Sequence, residues 1–182
     1  MHQPIAARWS TRAFDPSAVL TREDLVALLE AARWAPTWGR RQPVRFVVGL
    51  RGDTAFGTLA GLLRRGNSYA TVASALILLA ADEGDDENTA LYSGVDAGAA
   101  MANLTIEAVS RGLAVHPMAG FDAPGAAEAF GLHGLRPLVM IAVGRLADHA
   151  DVAPEIAERD RQPRERLPLD EIVLNWPELP GR

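Results

Sequence analysis

Hydrophobic and polar positions divide this chain into clear segments. In "LTREDLVALLEAARWAP", Leu25, Leu28, Leu29 and Ala32 fall on one face of a helix, Thr21 stands at the capping position with Asp24 three residues on, and Pro36 ends the run. "VRFVVGL" (44–50) predicts a strand, "TAFGTLAGLLRR" (54–65) a helix, and the unbroken apolar "ASALILLAA" (73–81) a buried strand. The acidic "DEGDDEN" (82–88) reads as a loop. From about Thr89 to Arg111, Ala99, Ala100, Asn103, Leu104 and Ala108 recur at helical spacing, with Gly112 as the carboxyl-terminal stop. This helix is expected to be central and buried. A short strand with a turn, "LAVHPMAGFD" (113–122), a small helix, "APGAAEAFGL" (123–132), and a strand, "PLVMIAVG" (137–144), follow. Residues 145–166 are polar without a period, and "LPLDEIVLNW" regains the apolar character of a docked tail. The order, without internal repeats or a linker, predicts one domain over 1–182 and an α+β fold of mixed α/β layers.

Composition narrows the chemistry. The 182 residues are 48% hydrophobic and 23% charged, and the longest apolar run, "ATVASALILLAA", is too short to span a bilayer. No secretory pattern opens the chain, so a cytoplasmic protein without membrane contact is expected. Cysteine is absent, which removes disulfides, thiol nucleophiles and cysteine-held clusters. Lysine is absent as well: all 18 basic residues are arginine, which excludes an internal Schiff base and a P-loop. A net charge of -5 argues against a nucleic-acid partner. No G-x-G-x-x-G or G-x-S-x-G occurs, and His2, His116, His133 and His149 lie too far apart to suggest a metal site. Chemistry without a nucleophile or metal points to a borrowed cofactor. Against this acidic background, Arg8 and Arg12 flank the hydroxyls Ser10 and Thr11 in "RWSTRAFDP". That pattern suits either a solvated arm or a local anion site, since arginine grips phosphate in two places.

Five separated pieces decide between these. "RWSTRAFDP" (8–16), "LLEAARWAPTWGRRQPVRFVV" (28–48), "GN" at 66–67 ahead of "ALILLAA", "DAGAAMANLTIEAVSRGL" (96–113) with "HPMAGFD" (116–122), and "RERLPLDEIV" (164–173) occur in an order and at intervals that resemble the FMN-dependent nitroreductase family over nearly the whole chain. The resemblance implies a nitroreductase-like fold, a central mixed sheet flanked by helices, and a homodimer that exchanges its tails, here about 167–182. It implies an FMN site in which Arg8, Trp9, Ser10, Arg12, Arg164 and Arg166 hold the phosphate and ribityl chain. Arg12 and Asn67 match positions near flavin N1 and the C2 carbonyl, while Pro117, Met118, Ala119 and Gly120 match the stretch beside N5, where an Ala119 or Gly120 main-chain N–H would donate. His116 is expected to be a supporting residue rather than an acid. Pro36, Thr37, Trp38 and Arg40 match the loop that reaches the partner subunit's flavin.

That loop departs from the family pattern: Trp38 replaces a small residue, Arg40 an asparagine and Val44 a tryptophan. Trp38 is compatible with stacking near the ring or plugging the pocket, and Arg40 with recruiting an anionic substrate or filling an interface. The short interval before "DAGAAMAN" implies loss of the helical insertion that roofs larger relatives, hence a more open or differently roofed pocket. The implied activity is NAD(P)H-driven, ping-pong hydride transfer through flavin N5 to a small electron-poor acceptor such as a nitroaromatic or quinone, with no side-chain nucleophile. The alternatives are another flavin chemistry of the same family, such as dehalogenation, dehydrogenation or flavin fragmentation, and a non-catalytic flavin-binding protein.

Overall fold

A computed structural model describes residues 1–177. The helices are α1 (Gln3–Ala7), α2 (Arg22–Arg33), α3 (Thr54–Gly61), α4 (Glu87–Ser110), α5 (Ala123–Phe130), α6 (Pro154–Asp160) and α7 (Leu169–Ile172). The strands are β1 (Val44–Leu50), β2 (Ala75–Asp82), β3 (Ala114–Met118) and β4 (Leu135–Gly144), in the sheet order β1-β2-β4-β3.

β2 is buried from Ala75 to Ala81 because both of its faces are covered, which is why it reads as an unbroken apolar run rather than an alternation. Ile77 points into a layer shared with Leu28, Ala32, Ala100, Leu104, Ile141 and Val143, which seats α2 and α4 on one face. Its neighbours Leu76 and Leu78 point the other way, to Phe56 and Leu59 of α3, Ala126 of α5 and Met140. The result is helices, sheet, helices in three layers, as the sequence predicts. All four strands pair antiparallel. The parallel component of the expected mixed sheet is a single bridge, Ser10 to Val115. That bridge lays the opening segment along the edge of β3, and a second bridge, Phe14 to Leu146, pins it beyond β4.

Thr21 caps α2 by accepting from the Asp24 N–H at 3.0 Å, as its spacing suggests. The 24 residues of α4 run about 36 Å. Its alanines let it lie close to α2, where Asn103 Nδ2 donates to the Ala31 carbonyl at 3.1 Å. Gly112, at φ 71°, turns the chain out of α4 into β3. α4 begins only a short loop after β2, so no helical insertion separates them. Among the described residues no helix is long and apolar enough to cross a membrane.

Candidate functional site

The opening segment owes its course to a buried carboxylate. Asp160, at the end of α6, accepts from Thr11 Oγ1 at 2.5 Å, from the Arg12 main-chain N–H at 3.0 Å and from the Ala13 N–H at 3.2 Å. His149 Nε2 stands 3.5 Å away. With Thr11 buried in this grip, the side chains of Ser10 and Arg12 turn outward. Nothing in the charge-rich sequence 154–166 singles Asp160 out from its acidic neighbours; its role appears only when α6 packs on the opening segment.

Arg8 is the centre of a cationic cluster. It donates from Nη1 to Ser10 Oγ at 3.3 Å, and no carboxylate among the described residues lies within ion-pair distance of Arg8, Arg164 or Arg166. Burial, then repulsion from Arg164 and Arg166, holds the Arg8 guanidinium below its usual value. Three cavities share Arg8. One of about 410 Å³ lies against α4 and takes in Ser10, Thr105 and Pro117. One of about 310 Å³ is lined by Met1, Ile5, Arg164 and Arg166, and one of about 230 Å³ by Trp9, Ser10, Arg159, Arg164 and Arg166. Ile5 of α1 borders the two larger cavities, and Arg164 straps α1 down by donating to the Ala6 and Arg8 carbonyls. Arg8, Trp9, Ser10, Arg164 and Arg166, distant in sequence, thus meet in one place.

Arg12, Asn67 and Gly120 form an adjoining group. The Arg12 guanidinium lies 5.0 Å from the Tyr69 ring centroid. Asn67 Nδ2 donates to the Gly120 carbonyl at 2.8 Å, and a Cβ on Gly120 would sit 2.5 Å from that same nitrogen. A side chain at 120 would push the Asn67 amide aside and break this bond. Neither the Ala119 nor the Gly120 main-chain N–H donates to a protein acceptor among the described residues. Met118 is buried in the core, so its side chain faces away from this surface. His116 supports the group: it stands 3.0 Å from the Tyr69 hydroxyl and 2.7 Å from the Thr11 carbonyl. Sequence reasoning missed Tyr69, although its two-residue distance from Asn67 offered a signal.

Pro36, Thr37, Trp38 and Arg40 are not at the arginine cluster within one chain. Their loop is clamped to α4, where both carboxylate oxygens of buried Asp96 accept from the Trp38 N–H at 3.1 Å and the Trp38 ring stacks on Tyr92 at 4.9 Å.

Comparisons with known proteins place the sequence and the fold in a family. The model of the "Nitroreductase family" matches residues 5–55 and 58–145. A protein of Mycolicibacterium smegmatis described as an uncharacterized 15.4 kDa protein in ask 5'region is 59% identical over 140 residues, covering 72% of this chain and 95% of its own length. A Bacillus subtilis (strain 168) protein provisionally named NAD(P)H nitroreductase YdgI is 25% identical over 91% of this chain and 92% of its own. A crystal structure described as an oxidoreductase containing FMN superposes with a TM-score of 0.86 at 29% identity, covering 100% of this chain and 92% of that one. The five pieces that carry the resemblance, the layered fold and these matches together establish that the chain belongs to the nitroreductase family.

Proposed function

We propose that the chain binds FMN and catalyses NAD(P)H-driven reduction of a small electron-poor acceptor, a nitroaromatic or quinone. The observation that carries this reading is the convergence of Arg8, Ser10, Arg164 and Arg166 on cavities that share Arg8, where Asp160 borders one wall but no carboxylate among the described residues lies within ion-pair distance of these arginines. A surplus of fixed positive charge in an acidic protein calls for an anion, and a phosphate takes several such donors at once. The fit extends beyond the phosphate. Glycine at 120 keeps the main chain low, and the free N–H groups of Ala119 and Gly120 suit a planar ring with an acceptor nitrogen at its edge.

In this reading Arg8 and Arg166 bind the phosphate, Ser10 donates to the phosphate or the ribityl chain, and Trp9 walls the cavity. Arg164 holds α1 over the site. Arg12 and Asn67 face the end of the ring where negative charge collects on reduction, and Pro117 to Gly120 run beside N5. FMN, when bound, supplies the two-electron redox centre. The chain's own contribution is to orient donor and acceptor in turn at one face and to stabilise the charge that develops.

We extend the proposal to a homodimer in which Pro36, Thr37, Trp38 and Arg40 complete the partner subunit's site. Support comes from an apolar, exposed stripe on α4, with Leu91 62% and Val95 58% exposed, and from exposed Leu167, Leu169, Ile172 and Trp176. The last five residues of the tail expected to exchange lie outside the described residues.

The test is an absorbance spectrum of the purified protein after FMN is added back, followed by anaerobic titration with NADPH and NADH. A flavin band that one nucleotide bleaches supports the reading, and no uptake of FMN defeats it. Arg8→Ala and Arg166→Ala each remove a charge-assisted contact worth about 1.5–3 kcal/mol, so each should weaken FMN at least about tenfold. Unchanged affinity in both variants removes the phosphate assignment.

A further inference from the structure

Tyr69 and His116 lie between the opening segment and the Pro117–Gly120 stretch, and neither lines the arginine cavities. The Thr11 carbonyl can only accept, so His116 Nδ1, 2.7 Å away, carries the proton. Nε2 is therefore an acceptor, and the Tyr69 hydroxyl at 3.0 Å donates to it. Burial reinforces this neutral pair: it pushes the Tyr69 hydroxyl up to about 12 and His116 below its ordinary value. The hydroxyl lies closer to His116 Nε2 than to its second acceptor, Asn67 Oδ1 at 3.4 Å, while its ring carries the Arg12 guanidinium at 5.0 Å. The two rings lie 5.0 Å apart, tilted by 37°. Thr11, in turn, is fixed by Asp160, so the pair is tied at both ends.

We infer that Tyr69 and His116 are positioning residues that hold Arg12 at the ring end of the cofactor and so raise the two-electron potential of bound FMN. This rests on the flavin reading above. A hydride brings two electrons and one proton, so its transfer from a dihydronicotinamide leaves the donor as a cationic pyridinium and adds one negative charge to the ring. A cation fixed near that charge favours the reduced form; a mobile one must be ordered at the moment of reduction. Arginine keeps its charge at any accessible pH, so its position is what the protein can adjust. The Tyr69 ring attracts the guanidinium through its face, and donation of the hydroxyl proton to His116 makes that face more electron-rich.

The experiment measures the midpoint potential and the affinity for oxidised FMN in the wild type, Tyr69→Phe and Tyr69→Leu. Tyr69→Leu removes the platform. Its affinity for oxidised FMN should stay within about threefold, while the reduced form binds about tenfold more weakly, a fall of about 30 mV for a two-electron couple. Tyr69→Phe keeps the ring but loses His116, and its potential should fall by less. A folded Tyr69→Leu with wild-type potential overturns the inference, and an unchanged Tyr69→Phe removes His116 from it. Should the leucine variant fail to fold, Tyr69→Met, which also removes the aromatic face under Arg12, takes its place, and a wild-type potential there overturns the inference. Wild-type protein that takes up no FMN defeats the flavin reading itself, an outcome distinct from all of these.

Discussion

Arg40 adopts φ 61°, the same left-handed backbone as the preceding Gly39, and is the one positive-φ residue other than glycine among the described residues. Holding a side chain there costs about 1–2 kcal/mol, whereas glycine adopts it freely. Replacing Arg40 with glycine relieves that strain but gives the unfolded chain more freedom, a loss of about 0.4–1 kcal/mol. The net expectation for Arg40→Gly is a gain of about 0.5–1 kcal/mol in chemical denaturation. If Arg40 completes the partner subunit's site, that gain comes with altered turnover of anionic acceptors relative to neutral ones. A variant less stable than the wild type would show that Arg40 makes a compensating contact, and the strain argument would fall.

At the scale of elements, periodicity read α2, β1, α3, β2, α4, β3, α5 and β4 correctly in kind and order, with ends displaced by a few residues. α3 stops at Gly61 rather than 65, and β4 starts at Leu135 rather than 137. α1 and α6 were not legible. α1 is five residues long and α6 seven, each has a proline within its first two residues, and neither is long enough to show an apolar face. What holds α6 is a tertiary interaction, Asp160 beneath the opening segment. The clustered arginines were legible as a motif, but Asp160 beneath the opening segment, Tyr69 beside Arg12 and Asp96, which clamps the Trp38 loop, were not, because a buried acceptor and an exposed acid look alike in sequence. Removing the Asp160 carboxylate strands the Arg12 main-chain N–H and takes the short 2.5 Å acceptor from the buried Thr11 hydroxyl, while the Ala13 N–H keeps Thr11 Oγ1 at 2.9 Å. Asp160→Ala should therefore cost about 3 kcal/mol or more by denaturation and weaken FMN as the Ser10–Arg12 turn loosens. An Asp160→Ala protein of wild-type stability would mean that α6 is dispensable for placing the turn.

At the scale of the molecule, the arginine cluster and the Trp38–Arg40 loop sit at different places on one chain, so a site using both needs two chains. The α4 stripe is the candidate surface for the proposed pairing: Leu91 and Val95 stand exposed, and Gly98 and Ala102 continue it with small residues. Small residues let a second helix approach closely, and the exposed tail adds apolar surface that a monomer leaves wet. Val95→Arg places a charge at the middle of that face, where pairing would bury it without a partner. Light scattering should report twice the 19.5 kDa chain mass for the wild type and a single chain for the variant. If the partner loop completes the cofactor site, FMN binding and dimerisation are linked equilibria, so the monomeric variant should lose FMN affinity although every residue of its own cluster is intact. The wild type should then show FMN affinity that rises with protein concentration around the dimer's dissociation constant. A monomeric Val95→Arg that binds FMN as tightly as the wild type would place the whole site within one chain and leave Trp38 and Arg40 without a part in it.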